Sequence, residues 1–360
     1  MSRASRFTSF LKLVEGPQTL GNGPKFWSGF AVVLLAACSY PAFADSYDVG
    51  NNVYFFNWLF MALGLSLIWG YGGSLSFGQT AFFGIAGYSY GVLTINLGDA
   101  YGLTLFSLVM AVAISALFAA VLGYFLFFGR INGVFLGIVS LSVTLVLERF
   151  MAQTAGPEWV IGKARLNGFN GMGAMPSLTI PWPGGNIVLY PDITLYYLTL
   201  ALLVIVYLGL RMLVNSRFGN VLVAIRENPL RAEMLGYDVR KYQLGAFVIG
   251  SALAGLSGVL YTSWGNYITP ASMGMTAASL PIVWVAVGGR SDLTTTLVGT
   301  FLVLIVFQSL TIHGSQYALV AMGFLLVITV LIAPKGIVTA LVEFVSKMSD
   351  RRKSKAEEVR

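Results

Sequence analysis

Cys38 and His313 are the only residues of their kinds in this 360-residue chain, which limits its chemistry at once. One of each excludes an internal disulfide, a Cys/His zinc site and a His-dependent triad with a Cys partner. His313, beside Gly314 just past an apolar run, reads as an interfacial residue rather than a chemical one. The chain also lacks a G-x-x-x-x-G-K-S/T phosphate loop, so it does not bind ATP by that route. No catalytic residue, metal site or cofactor is expected, and any energy the protein uses must come from elsewhere.

The remaining polar groups within apolar stretches are few. Ser74, Ser76 and Gln79 follow the glycines Gly70, Gly72 and Gly73, which interrupt a helical pattern. Ser76 with Gln79 has the spacing of a capping box that starts the next helix at Phe77. These three side chains are read either as a structural cap or as contacts along a solute pathway, since interrupted helices are where transporters hold polar solutes. Ser140, Ser142, Thr144 and Gln308 lack charged neighbours and suit a passage for a neutral or zwitterionic solute, although helix-to-helix hydrogen bonding explains them equally well. Glu148 and Arg149, adjacent at a span end, read as an interfacial anchor, with a gate or substrate contact as the alternative. Proton- or sodium-coupled carriers need carboxylates or a lysine inside the membrane, and almost none is present.

Charge concentrates instead in one island, Asn215 to Asp238. Phe218, Val221, Leu222 and Ile225 recur at i, i+3, i+4 and i+7, so a short helix has one greasy face and leaves Arg217, Arg226 and Glu227 for water or a partner. Asn228 followed by Pro229 predicts an N-cap with proline at the first helical position. Gly236 then closes a second, two-turn helix in a left-handed turn.

These residues must be positioned by membrane helices. With 56% hydrophobic and only 10% charged residues, the chain lies far from soluble domains, in which about 25% are charged. The fold expected is all-α, a polytopic transmembrane bundle of about ten spans, each near the roughly 20 residues a bilayer requires. The stretches are Phe26 to Ala44, Val53 to Gly70, Phe77 to Leu97, Leu103 to Phe128, Gly133 to Met151, Ile193 to Leu213, Gln243 to Thr262, Met275 to Val287, Leu293 to Ile312 and Tyr317 to Ala333. Gly84, Gly87 and Gly91 form one bare helix face, and Gly250, Ala254 and Gly258 another, both suited to close helix approach.

Basic loops stay in the cytoplasm. Placing both termini inside leaves only Arg149, Lys163 and Arg165 outside, so sidedness accounts for the net charge of +7 and a nucleic-acid partner is not expected. The chain then divides into a cytoplasmic segment 1–25, a transmembrane domain 26–340 and a charged cytoplasmic tail 341–360. Within the domain, residues 152–192 form an external loop, in which Leu178 to Ile180 and Ile187 to Tyr190 suit a small hairpin. Residues 211–242 form a cytoplasmic loop. Basic residues, the apolar run Gly29 to Cys38 and Ala42-Phe43-Ala44 also have the form of a cleavable signal peptide; an uncleaved first span is the preferred reading.

The segment NSRFGNVLVAIRENPLRAEMLGYDVRKYQLGAFVIGSALAGLSGVLY, Asn215 to Tyr261, resembles the cytoplasmic loop and following span of permease subunits from ATP-driven importers of the branched-chain amino acid and urea group. WGYGGSLSFGQTAFFGIAGY (Trp69 to Tyr88), RINGVFLGIVSLSVT (Arg130 to Thr144), VWVAVGGR (Val283 to Arg290) and APKGIV (Ala333 to Val338) resemble the same family in the same order. The resemblance implies a second permease subunit, two ATP-binding subunits, an extracytoplasmic solute-binding protein, a location in the bacterial inner membrane, and no hydrolysis by this chain. It makes the island a lever worked by the ATPase, with Leu230, Met234 and Tyr237 seated in a groove and Arg226, Arg231 and Glu233 pairing around the rim. An amphipathic helix lying on anionic lipid is the competing reading. The cargo implied is a branched-chain amino acid, with urea or a short amide as the alternative; a stand-alone carrier or channel is the alternative of another class.

Overall fold

The computed structural model describes residues 14–98, 102–181, 187–333 and 335–342. The tail from residue 343 onward and residues 182–186, between the two expected hairpin strands, lie outside the described residues. Nine helices of the bundle are α1 (Pro24–Ser39), α2 (Ser46–Leu65), α3 (Gln79–Leu93), α4 (Thr104–Phe128), α5 (Val134–Gln153), α6 (Ile193–Asn215), α9 (Val239–Gly265), α10 (Met275–Gly288) and α11 (Leu293–Ile332). Two short helices, α7 (Arg217–Glu227) and α8 (Pro229–Met234), lie between α6 and α9. Helices α2 and α3 end in π turns, Ser66–Tyr71 and Thr94–Gly98. Each apolar stretch of the sequence is helical among the described residues. Among the described residues, seven helices are long and apolar enough to cross a membrane; Met275–Gly288 and Tyr317–Ile332, the latter following a break at Gly314 in α11, are shorter apolar helices.

The bundle is organised around α2 and α9. Gly64 of α2 and Gly250 of α9 face each other so closely that a Cβ on either would overlap the other's carbonyl oxygen. One turn pair away, Ser257 donates to the Asn57 carbonyl at 2.6 Å. Gly258 in turn lies against the Phe83 backbone of α3. Small residues thus let three helices touch through their backbones, as their spacing predicts. By contrast, α4 turns Leu117, Val121 and Phe125 outward, the arrangement of a helix that faces lipid.

The 152–192 segment is more tightly held than a surface loop. The hairpin forms, with β1 (Leu178–Ile180) antiparallel to β2 (Ile187–Leu189). Met172–Gly173 also pairs with Tyr267–Ile268 at the end of α9, which stitches the segment to the bundle. Met172 and Met175 cover Gly91, so the bare glycine face of α3 accepts loop side chains as well as helices.

One local expectation fails. The capping box does not form: α3 begins at Gln79, two residues later than predicted, and Gly78 occupies the cap position without a side-chain bond. Ser76 Oγ instead accepts from the Gly78 amide at 3.1 Å, a tight local turn that takes the hydroxyl away from the N3 position. Gln79 is released from the cap and its side chain points into the bundle.

Candidate functional site

Two features combine exposed or unsatisfied chemistry with a defined position. The first is the elbow α7–α8. Ser216 caps α7 by accepting from the Phe218 amide at 3.2 Å, and Asn228 caps α8 by accepting from the Arg231 amide at 2.9 Å. Gly236, at φ 88°, closes α8; its amide bonds to the Glu233 carbonyl, and the next amide, Tyr237, returns to Ala232. Capped ends and an inner core of Val221, Ile225, Ala232 and Val239 make the elbow a stiff body rather than a flexible connection.

The two faces of the elbow differ. Phe218 stacks on Tyr242 at 5.5 Å and anchors α7 to α9. Arg226 turns inward: it donates to the Gly70 carbonyl at 2.6 Å, on the π turn that ends α2, and to Glu227 at 2.7 Å. Arg226 is therefore a strut between elbow and bundle, not a rim charge. Around it opens a cleft of about 490 Å³ that also touches Trp69, Glu227, Arg290 and Ser291. On the outer face, Leu230, Met234 and Leu235 are 68%, 87% and 71% exposed, with Tyr237, Arg217, Arg231 and Glu233 exposed beside them. Leu230, Met234 and Leu235 thus form an apolar tip that projects from a charged segment.

The second feature lies inside the bundle. Both amide atoms of Gln79 and of Asn57 are buried without a hydrogen-bond partner among the described residues, and so are Thr80 Oγ1 and the indole nitrogens of Trp58 and Trp284. An unmade hydrogen bond in such a place costs about 1–3 kcal/mol. Ring contacts connect the two indoles: Trp58 stacks on Phe83, one turn beyond Gln79, at 5.1 Å and meets Trp284 at 5.4 Å. Tyr261 of α9 closes on Trp58 at 5.3 Å. The rings of α2, α3, α9 and α10 thus form an aromatic junction with two indole donors, while Gln79 and Thr80 lie about one turn before Phe83 on α3 and Asn57 precedes Trp58 on α2.

The other polar residues named from sequence serve as braces. Ser140 accepts from the Phe77 amide at 3.0 Å, and Thr144 donates to Ser140 and to the Phe77 carbonyl, so both fix the approach to α3. Ser142 is exposed and bonds its own helix. Ser74 is half-buried in a second cleft, of about 370 Å³, between the elbow and the α4–α5 connection. Gln308 is half-buried on α11 and is not brought to Gln79 by any hydrogen bond among the described residues. Glu148 and Arg149 pair with each other at 3.4 Å, with Arg149 exposed. His313 bonds back to the Ser309 carbonyl on an exposed face.

Sequence reasoning missed Asn57, Trp58, Trp284 and, above all, Arg211. That arginine is fully buried and wrapped by residues 14–22, which carried no pattern of their own. The available signal was Tyr207 one helical turn before it, a ring against which a guanidinium packs.

A family model described as the permease component of the branched-chain amino acid transport system matches residues 52–331. The chain is 25% identical to the high-affinity branched-chain amino acid transport system permease protein LivM of Escherichia coli, over 92% of its own length and 80% of the relative's. The Salmonella typhimurium protein of the same description is 24% identical over the same shares. A probable branched-chain amino acid transport permease protein LivH of Methanocaldococcus jannaschii is 30% identical over 39% of this chain and 46% of its own. No solved structure matches.

Proposed function

The chain belongs to the branched-chain amino acid transport permease family and is a multi-pass inner-membrane component of an ABC transport system; on that premise we propose that it forms half of the translocation path of an importer for a branched-chain amino acid. Ten helical segments cross the membrane, with the elbow and both termini on the cytoplasmic side. A second permease subunit completes the path, two ATP-binding subunits work it from below, and an extracytoplasmic solute-binding protein delivers the solute.

The observation that carries the reading is the elbow itself: a doubly capped body with an exposed apolar tip at Leu230, Met234 and Leu235 and an inward strut at Arg226. A motor that closes on ATP needs a stiff handle, because a flexible loop would absorb the displacement. The tip fits an apolar groove on an ATP-binding subunit. The strut passes the movement to the π turn of α2, and α2 leads along its length to Asn57 and Trp58.

The solute path is proposed at the aromatic junction. The unpartnered amides of Gln79 and Asn57 and the two indole N–H groups suit a small zwitterion: the N–H groups donate to a carboxylate, while an ammonium fits the aromatic faces and the amide oxygens. Apolar rings there suit an aliphatic side chain. Urea, the alternative cargo, would use the amides and leave the rings without a role.

Co-purification tests the reading. Leu230→Asp with Met234→Asp should abolish recovery of the ATP-binding subunits and uptake of labelled leucine while leaving the permease in the membrane. Retention of the subunits by that variant would remove the elbow as the docking element. Uptake of urea but not leucine by the wild-type assembly would move the cargo to the other branch.

A further inference from the structure

Arg211 is the largest fully buried side chain among the described residues, and the proposed transport cycle has not used it. It sits in the last turn of α6, and most of its acceptors come from a segment far away in sequence. Its guanidinium donates to the carbonyls of Val14, Leu20 and Gly21, to Thr19 Oγ1 and to Asn22 Oδ1, at distances of 2.9–3.3 Å. Only Tyr207 and Thr294 supply acceptors from the helices, among the described residues. Phe26 and Trp27 cover it, at 4.7 and 5.6 Å from the ring centroids. A planar fork of donors fixes where each carbonyl must lie, so residues 14–22 take a defined path around it.

That path crosses the root of the elbow. Asn215, the last residue of α6 before the Ser216 cap, donates to the Val14 carbonyl and to Thr19 and accepts from the Gln18 amide. Gly16 lies so close to Asn215 that a Cβ there would overlap its side chain. Gln18 connects three elements by itself. Its amide reaches Asn215 of α6, its side chain donates to Asn220 of α7 at 3.2 Å, and its carbonyl accepts from Tyr71, the last residue of the α2 π turn, at 3.0 Å. Two residues on, the Leu20 amide donates to Asp292 at 2.7 Å, and Asp292 is the N-cap of α11.

We propose that residues 14–22, locked by Arg211, are a transmission strap that carries elbow displacement to the cytoplasmic ends of α2 and α11, in parallel with the Arg226 strut. The inference rests on the elbow being the handle of an importer. Its physical content is that the strap holds the elbow root and the two helix ends in one hydrogen-bonded body. A pull on α7 therefore moves Tyr71 and Asp292 through Gln18 and Leu20. Gln18 and Arg211 are positioning residues and touch no solute.

The complete importer, reconstituted in proteoliposomes, gives the test, with solute moved per ATP hydrolysed as the readout. Gln18→Ala should lower that ratio about fivefold or more, the scale of an ordinary coupling energy between sites, with receptor-stimulated hydrolysis held near the wild-type rate. Asn220→Ala should do the same, and the double variant should be no worse than either single, because both remove one contact. Arg211→Lys, which keeps the charge and loses the fork, should also uncouple. An unchanged ratio in all three, or uptake and hydrolysis falling together, would leave the strap as a static plug and overturn the proposal. Absence of receptor-stimulated hydrolysis in the wild-type assembly would instead sink the importer reading beneath it.

Discussion

Arg226 donates a 2.6 Å hydrogen bond to the carbonyl of Gly70, joining the inner face of α7 to the π turn that ends α2. The same turn is pinned from the other side, since Ser66 donates to the Arg290 carbonyl and a Cβ on Gly70 would overlap that oxygen. The end of α2 is therefore held between the elbow and the α10–α11 connection, with no room for a side chain between them.

Replacing Arg226 breaks the elbow-side contact alone. Its neighbour Glu227 is mostly exposed, so their ion pair contributes little, about 0–1 kcal/mol, and the loss falls on the Gly70 bond. Arg226→Ala should reduce uptake by about tenfold, corresponding to one charge-assisted hydrogen bond, while the protein remains folded. Uptake of labelled amino acid alongside a thermal melt in detergent separates the two effects.

Gly64 and Gly250 predict a steric outcome with an internal control. Gly250→Val should lower stability by about 1–3 kcal/mol or prevent folding, because backbone at a helix crossing cannot retreat as a flexible side chain can. Gly209, on α6, has nothing within 4 Å of the position a methyl group would take, so Gly209→Ala should be neutral or stabilising by about 0.5–1 kcal/mol. The two melting midpoints, measured side by side, check the sign of each.

Gln79 should show opposed effects on stability and transport. Gln79→Leu removes a buried amide that has no partner among the described residues and substitutes an apolar group of similar size, so the fold should gain about 1–3 kcal/mol. Uptake should fall by about tenfold or more if the amide meets the solute. A variant that gains stability and transports normally would show that the amide has no part in the path.

Asp292 sets a pH dependence. Burial raises its pKa above the usual carboxylate range, against the hydrogen bonds from the Thr295 and Leu20 amides that favour the charged form. The folded chain then binds more protons than the unfolded chain between the unfolded and folded values, so stability falls as pH rises through that window. Thermal midpoints of the wild type and Asp292→Asn, compared from about pH 7 down toward the ordinary carboxylate value near pH 4, should show the wild type gaining relative to the variant as pH falls. A constant difference across that range would mean that the carboxyl does not titrate there.

Much of this architecture was legible in the chain, for reasons tied to particular residues. Apolar runs near bilayer length placed the helices. The spacing of Phe218, Val221, Leu222 and Ile225, with Asn228 ahead of Pro229 and Gly236 behind, placed the elbow, because caps act through bonds to the next few residues and so are written locally; the Ser216 cap of α7 emerged only in the structure. The stripe Gly250, Ala254, Gly258 announced a helix crossing. The Ser76–Gln79 box misled because the same spacing permits a tighter Ser76–Gly78 turn, and only the brace from Ser140 to the Phe77 amide selects between them.

What the sequence determined by itself was a helical, multi-pass membrane chain, the capped elbow and the family. The tertiary structure decided which polar groups are spent and which are left over. Ser140 and Thr144 are used as braces, Gln79 and Asn57 stand unpartnered among the described residues, and Arg211, marked in sequence only by Tyr207 one turn before it, is enclosed by residues some 190 positions away. Hydrogen bonding at a distance leaves no local mark on the chain, because a donor carries the same side chain whether its acceptor is water or a carbonyl brought to it by the fold.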